Sequence, residues 1–150
     1  MSKRVGLLAR VGARAPIYIA DTDEQAHAEG RPAVEWLYHK GLKTAPEMVN
    51  PPGYMSPGSL RGVLASGMRG LGVSSYEDLL AQGQAVVGSP SSVAKRLSEL
   101  YDELGGFGQI IGLFAIGPST HEQVKRSAEL FATEVMPVLR PLGTAEEATS

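Results

Sequence analysis

The stretch AVVGSPSSVAKRLSELYDELGGFGQIIGLFA, residues 85–115, carries the reading of the architecture. It opens on Ala85-Val86-Val87, a short β-branched run that reads as extended. Gly88-Ser89-Pro90 then turns the chain into a helix. Ser89 is a capping residue, and Pro90 suits the first helical position, where no N–H is needed. Val93, Leu97, Leu100 and Leu104 recur at three- and four-residue spacing and mark one apolar helix face. Gly105-Gly106 stops that helix. GQIIGLFA, residues 108–115, is almost wholly apolar, which suits a parallel strand buried on both faces. Gly112 within it allows close packing.

Working outward, PIYIADT (16–22) is a second strand, started by Pro16 and ended by Asp21 and Thr22. Thr22 and Gln25 have capping-box spacing, so a helix begins near Asp23. It carries Ala26, Ala28, Val34, Trp36, Leu37 and Tyr38, and Gly30-Arg31-Pro32 predicts a kink, or a break with restart, at Pro32. On the other side, Ser119 and Glu122 have capping-box spacing, and Val124, Ala128, Phe131, Val135 and Val138 repeat at helical intervals. Pro137 bends or ends this helix and Pro141 closes it; the tail, 143–150, reads as disordered. Residues 41–84 have weak periodicity and Pro-Pro-Gly and Ser-Pro-Gly turns, the pattern of a long functional loop, with short helices at Ser59–Ser66 and Tyr76–Gln82. Two buried-type strands alternating with helices imply a parallel sheet, and two are too few to cover faces and pair edges. The expected class is α/β, as the end of a larger domain.

The bulk numbers exclude more than they assign. At 150 residues with a net charge of −2 and no basic cluster, the chain has no electrostatic case for nucleic acid or an anionic membrane. The absence of cysteine excludes disulfides, thiolate catalysis and Cys-ligated zinc, and fits a cytoplasmic protein. MSKRVGLLARVGARAP is basic, but Arg10 and Arg14 break the run before a signal sequence forms. His27, His39 and His121 lie far apart, with the first and last expected in solvated helix starts. No metal spacing and no base–nucleophile set is visible, so the catalytic residues stay unassigned.

Gly88-Ser89-Pro90, Gly105-Gly106-Phe107-Gly108 and the run from Arg126-Ser127 through Leu130-Phe131-Ala132 and Val135-Met136-Pro137 to Arg140 resemble the C-terminal end of luciferase-like flavin-dependent monooxygenases. PIYIADTDEQA (16–26) is similar to the family's preceding strand and helix start. The resemblance implies part of a (β/α)8 barrel over 15–142, after an N-terminal segment 1–14. That part comprises about two βα units, strands seven and eight, with 41–84 as an insertion that acts in relatives as a lid over the flavin. It further implies reduced FMN supplied by a reductase, or a deazaflavin, and oxidation of a small organic substrate with O2. The family's main flavin contacts come from earlier strands, which this chain lacks.

Each candidate residue has two readings. Gly88 and Ser89 either start a helix or offer N–H groups to a cofactor phosphate. Trp36 is a packing residue or, by resemblance, approaches the flavin ring. Tyr54 anchors its Pro/Gly loop or touches substrate, and Ile116 and Gly117, after the last strand, shape an apolar pocket wall. A non-catalytic fragment that folds only with another chain, as a homo-oligomer or with a partner completing the barrel, is the alternative. Unpaired strands and an exposed Phe/Val helix face would drive that association.

Overall fold

The computed structural model describes residues 12–41, 56, 58 and 75–144. Strand β1, Gly12–Ile19, leads into helix α1, Asp23–Trp36, whose last turn widens over Leu37–Gly41. Helix α2 spans Tyr76–Ala81, strand β2 Val86–Gly88, helix α3 Pro90–Glu103 and strand β3 Gln109–Leu113. Helix α4, His121–Leu130, passes through a wide turn at Phe131–Val135 into helix α5, Met136–Thr144.

The sheet is parallel, in the order β2-β1-β3. β1 pairs with β2 from Ile17↔Val86 to Ile19↔Gly88, and with β3 from Gly12↔Gln109 to Pro16↔Leu113. Side chains alternate across it. Ala15, Ile17, Ile19 and Val86 pack on Val93, Ala94 and Leu97 of α3 and on Leu130 and Val135. Tyr18, Ala20, Ala85 and Val87 pack on Ala26 and Val34 of α1 and on Tyr76 and Leu79 of α2. The chain therefore crosses from β1 to β2 over one face, and from β2 past β1 to β3 over the other. Right-handed crossovers require that change of face when the direction of winding reverses.

The α/β class and the parallel sheet agree with the sequence reading. The run at 85–87 proves to be a paired strand, so there are three strand–helix units where two are expected. Consecutive barrel strands are neighbours, with every helix outside. Here the two expected strands, β1 and β3, are neighbours, β2 is added on the other side of β1, and helices pack on both faces at β1 and β2.

Several local expectations change for physical reasons. β1 starts at Gly12, with Pro16 inside it. Ala20 donates its N–H to Gly88 on the β2 side, so Pro16, two pleats earlier, lacks its N–H on that same side, before β2 pairing begins. α1 runs unbroken through Pro32, which is exposed, leaving the Ala28 carbonyl it cannot reach on the water side. α4 is capped by Thr120 with Gln123, one residue later than expected. The wide turn at 131–135 precedes Pro137, whose ring would crowd an ordinary turn, and α5 includes Pro141. β3 is not buried on both faces, since Ile111 and Leu113 are exposed. Val135 is buried and Phe131 packs on the core, while Val138 of the same helix face is 53% exposed. The proposed helix at 59–66 and most of the tail lie outside the described residues. Among those described, no helix is long and apolar enough to cross a membrane.

Candidate functional site

The C-terminal ends of β1 and β2 meet through one carboxylate. Thr22 caps α1, its Oγ1 accepting the Gln25 N–H at 3.2 Å. Asp23, the next residue, turns away from its own helix to the start of α3. Its Oδ1 accepts the Ser89 N–H at 2.6 Å and its Oδ2 accepts the Ser92 hydroxyl at 2.9 Å. Ser89 Oγ in turn accepts the Ser92 N–H at 3.4 Å. The Ser89 N–H, and then the Ser92 hydroxyl, hold the Asp23 carboxyl below its ordinary 3.8. Gly88 makes the approach possible, because a Cβ there would sit 2.9 Å from Asp23 Oδ1 and 3.0 Å from Ser92 Cβ. The helix start has thus drawn an anion, supplied by the chain itself. An external phosphate would have to displace Asp23 from Ser89.

Beside the end of β1 lies a cavity of about 190 Å³, between α1 and α4. It exists because β3 stops at Leu113, opposite Pro16, so β1 continues with no strand on that side. Ser127 of α4 takes the strand's place, its buried Oγ accepting the Ile19 N–H at 2.8 Å. In the cavity wall Tyr18 donates its hydroxyl to Glu29 Oε2 at 2.8 Å, and Gln25 donates to Glu29 Oε1 at 2.9 Å. Burial first, then the Glu29 hydrogen bond and charge, push the Tyr18 phenol well above its usual value, so it acts as a neutral donor. Arg126 pairs with Asp21 across the mouth. Glu122 and Gln123 complete the polar lining.

Three carboxylates, Asp21, Glu29 and Glu122, and one guanidinium, Arg126, line this cavity, which suits hydrogen-bond donors and cations better than a phosphate. The volume is also below the roughly 300–1,000 Å³ of an enclosing small-molecule site. The described residues do not by themselves fit a flavin.

The sequence-derived candidates fall into separate places. The Trp36 ring, 41% exposed, lies over Gly117, where a Cβ would come within 2.6 Å of it, and against Gly41, at 2.7 Å. Gly117 has φ +50°, a second reason for glycine there. Trp36 and Gly117 are therefore brought together, and Ile116 beside them is buried. Gly88 and Ser89 sit at the α3 start, and Tyr54 lies outside the described residues. His27 is not simply solvated: its Nδ1 is 2.7 Å from the Tyr76 hydroxyl, whose ring also carries the Arg31 guanidinium at 4.9 Å. No three His, Cys, Asp or Glu among the described residues are placed to hold a metal. Sequence reasoning missed Asp23 and Ser127. Asp23 looks like an ordinary first-turn acid, and its Ser89 partner is 66 positions away.

No protein-family model matches the sequence, and no curated protein matches it. Several solved structures are similar, two monooxygenases among them. One is the monooxygenase RslO1 from Streptomyces bottropensis, with 20% identity and a TM-score of 0.55 over 84% of this chain and 30% of that one. The other is the oxygenating constituent of 3,6-diketocamphane monooxygenase from the CAM plasmid of Pseudomonas putida, a type II Baeyer–Villiger monooxygenase in complex with FMN. It has 22% identity and a TM-score of 0.56 over 87% of this chain and 34% of that one. The chain spans about a third of the length of these monooxygenases and shares its fold with that portion of them.

Proposed function

We propose that the chain is the C-terminal portion of a luciferase-like flavin-dependent monooxygenase barrel acting in the cytoplasm on a small organic substrate. The observation that carries this reading is the fold likeness over 84% and 87% of the chain to two monooxygenases, one of them holding FMN. The flavin, FMN reduced by a reductase or a deazaflavin, supplies oxygen activation when bound. Most of its site belongs to strands outside this chain, in keeping with the small cavity at β1. This chain's share is support and enclosure. Asp23 ties α1 to the Gly88-Ser89 start of α3, so the two strand ends keep a fixed spacing. Arg126 holds Asp21 at the cavity mouth. Trp36, on Gly117 with Ile116 beside it, forms an apolar wall that excludes water.

Placing residues 12–144 where the matching C-terminal portion of the similar FMN-holding monooxygenase constituent stands tests the reading. A folded chimera that retains FMN is expected, and a chimera that folds but retains no FMN would overturn it. The second reading, a non-catalytic chain that works by association, is favoured by one observation, the exposed apolar residues of β3.

A further inference from the structure

Helix α2 is short, and its buried residues are Tyr76 and Leu79. An element with so few buried contacts opens at little cost. Tyr76 packs in the cluster that holds Ala26 and Val34 of α1. Its hydroxyl lies 2.7 Å from Nδ1 of His27 on α1, and the two rings meet edge to face at 5.9 Å. Arg31 completes the joint, over the Tyr76 ring at 4.9 Å and on Glu77 at 3.1 Å. Burial pushes the Tyr76 phenol up to about 12, against the pull of Arg31, so the hydroxyl keeps its proton. A hydroxyl proton in this setting needs an acceptor. Among the described residues the His27 Nδ1 lone pair is the one within reach.

We propose that His27 and Tyr76 form a proton-operated catch, which holds α2 on α1 while the imidazole is neutral and releases it when the imidazole gains a proton. The imidazolium carries a proton on each nitrogen, so Nδ1 then meets the Tyr76 O–H donor to donor. If the hydroxyl turns to accept from Nδ1–H, its own proton is left without an acceptor in the core. Histidine is the side chain that makes this change between about pH 5 and 8. Asp23, Glu24 and Arg31 lie within about one turn of His27 on α1. They stay with it whether α2 is docked or not, so they do not choose the direction. From α2 come Tyr76 and Glu77, and the Glu77 side chain is 66% exposed and engaged by Arg31. β1 offers Tyr18, which is bonded to Glu29, and β2 is Val-Val-Gly. The start of α3 reaches α1 through Ser89 and Ser92, which bond Asp23. That joint depends on a carboxyl held below 3.8, so it survives the range in which histidine titrates, and α2 alone is freed. The inference goes beyond the flavin reading and does not depend on it.

Amide hydrogen exchange of the full chain tests it, with each rate taken relative to the unstructured rate at the same pH. The Leu79 and Gln82 amides bond to Ser75 and Asp78 within α2. Their protection is expected to fall about tenfold between about pH 7.5 and about pH 5.5, while Val93 and Leu97 of α3 hold theirs. His27→Asn puts an amide oxygen where Nδ1 stands, and that oxygen accepts without titrating. In this variant α2 protection is expected to stay flat over the same range. Nitrogen-15 shifts of the His27 ring in the wild-type chain are expected to show the proton on Nε2 in the neutral form, with Nδ1 free to accept. That reading needs no variant, so it decides the matter even where His27→Asn folds poorly. α2 protection that is equal at the two pH values overturns the proposal, as does a neutral ring protonated on Nδ1. A His27→Asn chain as pH-sensitive as wild type overturns it too, by placing the titration at another group.

Discussion

Asp23 is the residue on which the strand ends depend. Its carboxylate accepts one backbone N–H and one hydroxyl from α3, both charge-assisted. Asp23→Ala is expected to cost about 1–3 kcal/mol near neutral pH, read by urea unfolding. The pH dependence has a definite sign. The folded-state pKa is lowered, so the stabilisation is fully present above the ordinary 3.8 and disappears as pH falls through the lower folded value. The stability gap between wild type and Asp23→Asn is therefore expected to close in acid below that window; a gap that stays constant down to acid would remove Asp23 from the account. Ser127→Ala leaves the buried Ile19 N–H without an acceptor and is expected to cost about 1–3 kcal/mol, with faster exchange of that amide. Ser89 as a cap with Pro90 behind it was legible in sequence, since capping is a matter of neighbours. The Asp23 and Ser127 bonds were not, because their partners lie on other elements.

At the scale of elements, periodicity located α1, α2, α3 and β3 well, and proline misled. Pro32 and Pro141 look like stops, yet both sit within helices. Tertiary packing outweighs a missing hydrogen bond where the orphaned carbonyl can face water. Pro32→Ala restores the N–H to Ala28 and is expected to stabilise the protein by about 1–2 kcal/mol, seen as a higher Tm. Gly30→Ala has the opposite sign. A Cβ there meets the buried Tyr18 ring at 2.9 Å, and overpacking of this kind costs about 1–3 kcal/mol. A Gly30→Ala variant as stable as wild type would show that α1 can move off the sheet. The apolar run of β3 was read as buried on both faces, and this failed for a positional reason. Composition reports what a strand can bury, while its place at the edge decides what it does bury.

At the scale of the molecule, two apolar clusters on opposite faces of one parallel sheet give the chain its core. If the chain works by association, the melting temperature rises with protein concentration, and a concentration-independent Tm speaks against that reading. The sequence alone determined the α/β class, the helix starts and the apolar faces. These follow from local spacing, capping and turn chemistry, which act within a few residues. Tertiary structure alone decided that β2 is added on the other side of β1, that helices pack on both faces there and that Asp23 fills the α3 start. It also decided that β1 ends in a small acidic cavity. Those outcomes depend on which buried surfaces and unpaired backbone groups find partners in space, and that competition is settled only when distant segments pack together.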